Sequence, residues 1–106
     1  MHSVTVHAQS HRQSLLRNWE FELQVQLPEV FTSYRAAKAW ALRELSCHPR
    51  RYSGDHHDWH VHVFADKDGY ACSISQYWWS ADYCGDTRPT GALAIVQAVL
   101  ELRAGY

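Results

Sequence analysis

The sequence predicts an α+β domain of element order ββαββα, a four-stranded antiparallel or mixed sheet with two helices on one face. Three observations predict it. Residues 19–27 alternate apolar and polar without a break, two later segments flank the turn signal Asp66-Lys67-Asp68-Gly69, and the stretches 34–46 and 91–104 carry apolar side chains at helical spacing. With 106 residues the chain has the size of a single domain, 1–106, with room for one core and none for a large cofactor cavity.

The run Trp19-Glu20-Phe21-Glu22-Leu23-Gln24-Val25-Gln26-Leu27 reads as a strand with one face buried and one in water, ended by Pro28. A weaker strand at 3–9 places Val4, Val6 and Ala8 on one side, and residues 11–17 form a connection too long for a tight hairpin. Ser33 or Thr32 caps a first helix from Tyr34 to about Ser46, where Tyr34, Ala37, Ala41 and Leu45 make an apolar stripe flanked by Trp40, with Arg35 and Arg43 toward the opposite side. A polar loop broken by Pro49 and Gly54 covers 47–55.

Strands at 58–65 and 70–78 follow. Lys67 and Asp68 suit a type I turn and Gly69 the left-handed position of a bulge, a register that pairs Phe64 with Cys72, Val63 with Ser73, His62 with Ile74 and His60 with Gln76. Trp59, Val61, Val63 and Ala65 then face the core with Ala71, Ser73 and Ser75, and the opposite face shows His60, His62, Phe64, Tyr70, Cys72, Ile74 and Gln76. The last helix, about 91–104, is apolar over nearly half its circumference, and Gly105 is placed to end it. A right-handed crossover through the first helix gives strand order 1-2-4-3, ferredoxin-like with permuted strand order, in which an N-terminal strand replaces the usual C-terminal one. A sequential meander, 1-2-3-4, is the alternative.

Hydrophobic residues at 46%, charged residues at 20% and a formal charge of −1 describe a globular protein without the basic excess of a nucleic-acid module. Three cysteines lack the paired spacing of a disulfide framework, which points to a reducing cytoplasm. The N-terminus shows no signal peptide, and the longest apolar stretch, 92–96, is far too short for a membrane span.

Five of the eight histidines fall between His48 and His62. His60 and His62, two apart on a strand, point to the same side and can share a metal or a partner, with His56 and His57 close by in sequence. Zinc needs three or four ligands converging at about 2.0–2.3 Å, and this spacing supplies two; no Cys-x-x-Cys or His-Glu-x-x-His fixes the others. Solvated histidines on an exposed strand are the simpler reading, and no cofactor is expected. A zinc-binding protein or small metal-dependent hydrolase built on His60 and His62 is the alternative.

Nucleophilic chemistry has less support. Cys72 is an ordinary mid-strand thiol, Cys84 lies in a loop near the negative charges of Asp82 and Asp86, and Cys47 and His48 are adjacent in sequence, which rarely aligns a thiolate with an imidazole. The glycines are isolated and form no phosphate-binding loop. An RNA-binding module would use Phe64 and Tyr70 on the outer sheet face, but Glu20 and Glu22 on that face would repel phosphate.

The strongest binding signal is Tyr77-Trp78-Trp79 with Tyr83. Two consecutive tryptophans at a strand end cannot both face the core, and Trp, Tyr and Arg dominate protein interfaces. Arg88, Arg50, Arg51 and Tyr52 join them if the two loops meet. The sequence thus reads as a small non-enzymatic protein-binding domain, an inhibitor or adaptor that blocks its partner sterically. Phage-encoded inhibitors of bacterial defence, anti-CRISPR proteins among them, fit on size and on the lack of catalytic motifs alone. A protein partner is favoured over nucleic acid, and the edge strand 60–64 offers a route to a homodimer by strand pairing.

Overall fold

A computed structural model describes residues 3–47, 59–75 and 83–104, with the backbone alone described for 3–10 and Tyr83. The elements in order are helix α1 (Ser3–Gln26), a 3₁₀ turn (Pro28–Phe31), helix α2 (Tyr34–Ser46), strands β1 (His60–Asp66), β2 (Gly69–Ser75) and β3 (Tyr83–Cys84), and helix α3 (Gly91–Arg103). The sheet has the order β1-β2-β3, and its third member is only two residues long. The four-stranded, ferredoxin-like arrangement with strand order 1-2-4-3 is therefore wrong, and so is the four-stranded meander.

The error lies at the N-terminus. The expected strand 3–9, the expected loop after it and all but the last residue of the expected strand 19–27 belong to one 24-residue helix. The alternation at 19–27 is the sum of two four-residue series. Trp19, Leu23 and Leu27 recur every fourth position, preceded by Leu16, and turn toward the core. Phe21 and Val25 form the other series, about 200° away around the helix, and are 67% and 66% exposed. No Gly or Pro between Ser3 and Leu27 interrupts the helix, and Pro28 stops it and opens the 3₁₀ turn.

Local signals elsewhere act as expected. Ser33 caps α2, its hydroxyl accepting from the amide of Ala36 at 3.1 Å. Ala37, Trp40, Ala41 and Leu45 are buried, while Tyr34 remains half exposed. Thr90, not among the expected caps, closes the start of α3 by accepting from Leu93 N at 3.2 Å. This helix buries Ala92, Ala94, Ile95, Val96, Ala98, Val99, Leu100 and Leu102, far more of its circumference than half, because the alanines let neighbours close in on every side. It packs against α1, the 3₁₀ turn, α2 and all three strands. The expected stop at Gly105 lies outside the described residues.

The hairpin forms, but one residue out of the expected register. Gly69 is itself a rung of the ladder, opposite Asp66, so Val61 pairs with Ile74, His62 with Ser73, Val63 with Cys72 and His60 with Ser75. A one-residue slip exchanges the faces of β2. Cys72 and Ile74, expected outside, are fully buried, and Ser73 and Ser75 take the face of His60 and His62. Gln76 lies outside the described residues.

Gly69 has φ +142°, and a Cβ there would collide with the carbonyl oxygen of Arg88. That carbonyl accepts from Tyr70 N at 2.8 Å, and Arg88 N donates to Tyr70 O at 2.7 Å. Between this bridge and the Ser73–Cys84 pair, the 84–88 side spends one residue more than β2, a bulge that bends it along the hairpin. Gly69→Ala is therefore expected to cost about 1–3 kcal/mol, and Thr90→Ala, which only removes a cap, about 1 kcal/mol. Urea unfolding monitored by tryptophan fluorescence checks both, and a Gly69→Ala protein as stable as the parent would refute the close approach.

Candidate interaction surfaces

Of the residues expected to bind a partner, Trp78, Trp79, Arg50, Arg51 and Tyr52 lie outside the described residues, as do His56 and His57. Tyr83 is in β3, opposite Ile74. Arg88 is held twice, through its backbone by Tyr70 and through its guanidinium, which donates to Gln97 Oε1 of α3 at 3.2 Å. Both residues of the 83–88 segment are thus laid along β2 by main-chain pairing.

His60 and His62 share an exposed face of β1, as their spacing predicts, with Ser75 and Ser73 opposite them. The His62 ring stacks on Phe64, centroids 6.3 Å apart and planes 27° from parallel. Among the described residues no three His, Cys, Asp or Glu side chains come together as a metal site. Phe64 and Tyr70 are 39% and 41% exposed, but Phe64 pairs with Ala71 and Tyr70 with Ala65. Directly opposed residues share a face, so these two rings lie on opposite faces and form no common platform for stacking bases. Glu20 and Glu22, expected beside them, are on α1.

A cleft of about 390 Å³ runs between α1 and α3, lined by Gln13, Arg17 and Glu20 on one side and Arg88, Gln97 and Glu101 on the other. Arg12 reaches across from α1 to Glu101 at 2.6 Å. The expected loop at 11–17 conceals this cleft, since these residues instead form part of α1. The signal was present: Gln13, Leu16, Arg17 and Glu20 stand at i, i+3, i+4 and i+7, one face of a helix. Its cations and carboxylates largely answer each other, so it carries no strong charge of one sign. Near the other end of α1, the Arg103 guanidinium lies 4.9 Å from the Trp19 ring centroid and 3.5 Å from Glu44 Oε1 of α2, tying three helices together.

Exposed apolar side chains mark the remaining surface. Phe21 and Val25 stand one turn apart on α1, with exposed Asn18, Glu22 and Gln24 around them, whereas Tyr34 and Leu42 are separate positions on α2. No described helix is long and apolar enough to cross a membrane.

The three thiols are free; Cys47 and Cys84 are exposed and Cys72 is buried. Burial, and secondarily the nearby Cys84, pushes the Cys72 thiol up to about 12. Such a thiol is no nucleophile near neutrality. Comparison with protein-family models, with curated proteins and with solved structures gives no match to this chain.

The raised pKa has a thermodynamic consequence. The folded protein keeps the Cys72 proton over the window in which the unfolded chain, with an ordinary value of 9.0, loses it. Stabilisation intact below pH 9 is then lost as pH rises toward 12, by at most about 1.4 kcal/mol per pH unit. Urea unfolding across this window should show a shallower decline in Cys72→Ala than in the parent, and identical slopes would refute the assignment. In native protein, alkylation read by mass spectrometry should reach Cys47 and Cys84 and spare Cys72.

Proposed function

We propose that the chain is a small non-enzymatic protein-binding domain that acts as an inhibitor or adaptor by covering a surface of its partner. The observation that carries this reading is the outward face of α1. Phe21 and Val25, the two most exposed large apolar side chains among the described residues, sit one helical turn apart within a polar surround. That is the pattern of an amphipathic helix laid into an apolar groove, with anchors at i and i+4. A single exposed apolar residue would need no explanation; two aligned one turn apart on one helix do.

Support also comes from the sequence. The Tyr77-Trp78-Trp79 segment with Tyr83, Arg88 and the Arg50-Arg51-Tyr52 loop has the composition of an interface centre. Three free thiols favour a reducing compartment, the cytoplasm. The buried Cys72 thiol offers no nucleophile. The zinc reading rests on His60 and His62 alone among the described residues, two ligands where three or four are needed.

Affinity capture from the native host with quantitative mass spectrometry tests the proposal. A protein recovered by the parent should be lost with Phe21→Glu/Val25→Lys, and its affinity should fall about 30-fold or more with Trp78→Ala/Trp79→Ala, the scale of an interface hot spot. Circular dichroism should show both variants folded. Unchanged recovery and affinity in both folded variants would sink the reading.

A further inference from the structure

We propose that β1 is a self-association edge: two copies of the chain join by antiparallel pairing of His60–Asp66 across a two-fold axis at Val63. The hydrogen bonds of β2 decide which groups of β1 are available. Tyr70 N and O both bond Arg88, and Cys72 O accepts from Gly85 N at 2.9 Å, so the main-chain groups of Tyr70 and Cys72 point toward β3. Backbone groups alternate between the two edges of an antiparallel strand. Gly69, Ala71, Ser73 and Ser75 therefore face β1, where they meet Asp66, Phe64, His62 and His60. The amides and carbonyls of Val61, Val63 and Ala65 are left aimed at the opposite edge, and among the described residues no strand pairs with it.

An open edge accepts many partners in principle. The residues of β1 select a second copy of themselves. A two-fold axis at Val63 pairs all seven residues and places Val63 opposite Val63 of the partner subunit, with Val61 opposite Ala65 of the partner subunit. These odd positions form the hydrogen-bonded pairs, about six main-chain bonds in all. The even positions become the close, non-hydrogen-bonded pairs, with Cα atoms about 4.5 Å apart. His60 then faces Asp66 of the partner subunit, and His62 faces Phe64 of the partner subunit, each contact occurring twice.

Both pairings are favourable. One Asp66 oxygen accepts from Lys67 N at 2.5 Å, and the carboxylate keeps a second oxygen for an imidazole N–H. Within one chain His62 already stacks on Phe64, and pairing would extend that contact into a four-ring row across the axis. No like charges oppose each other anywhere in this register. All four even side chains are exposed, so the dimer covers Phe64, which the single chain leaves 39% exposed.

Sedimentation over a concentration series, with circular dichroism as the control for folding, tests the dimer and its register together. The parent should pass from monomer to dimer as concentration rises. His62→Lys/Phe64→Lys sets lysine against lysine twice and should weaken association about tenfold or more. His62→Glu/Phe64→Lys sets glutamate against lysine in this register and should associate at least as well as the parent. A parent that stays monomeric throughout would overturn the proposal. So would a dimer to which the two double variants respond alike, since that dimer would use another surface or another register.

Discussion

Helix α3 has almost no face left for water. From Ala92 to Leu102 only Leu93, Gln97 and Glu101 escape full burial, and they recur every fourth position as a narrow stripe. A helix so placed must be surrounded, and among the described elements α1, the 3₁₀ turn, α2 and the β1–β2 hairpin meet this requirement by turning apolar side chains toward it. The hairpin contributes Val61, Cys72 and Ile74, α2 contributes Ala37 and Ala41, and the 3₁₀ turn contributes Val30. Alanines on both α2 and α3 allow their backbones to approach closely. Ile74, Ile95, Val30 and Val96 are the largest side chains fully withdrawn from water, each worth about 1.5–3 kcal/mol.

The stripe that α3 does leave open is where α1 docks. Glu101 takes Arg12 and Gln97 takes Arg88, so two of its three members hold cationic groups from other segments. Partly exposed pairs of this kind contribute about 1 kcal/mol or less. Their effect is geometric. Among its described side chains α1 has only Leu23 fully in the core, with Leu16 and Trp19 at its margin, and the Arg12–Glu101 and Arg103–Trp19 contacts fix its rotation about that narrow seam. That rotation is what sends Phe21 and Val25 outward.

Signals confined to a few residues were legible in the sequence. The Thr32-Ser33 pair declared a helix start, and Asp66-Lys67-Asp68-Gly69 declared a hairpin, because capping and turn chemistry depend on local geometry alone. The exposed His60 and His62 followed from the strand period. Register did not, since whether Gly69 stands outside the ladder or forms a rung depends on Arg88 packing against it, a contact distant in sequence. The α1 failure has the same origin. Nine alternating residues satisfy a strand and, taken in two sets of i, i+4, a helix as well. Tertiary packing on α3 decided between them, and with it the existence of the α1–α3 cleft.

The free edge of β1 and the outward face of α1 are consequences of one arrangement. Because α3 occupies the centre, the sheet needs to cover only one of its sides, and a hairpin with a two-residue third strand is wide enough to do so. Among the described residues a sheet that narrow leaves β1 at an edge, with Val61 buried, the backbone groups of Val61, Val63 and Ala65 aimed outward and the even side chains in water. The same economy leaves α1 lying along the open stripe of α3 with Phe21 and Val25 exposed among the described residues. Among the described residues neither the β1 edge nor the outward face of α1 is covered, which is why both are proposed as contacts between molecules.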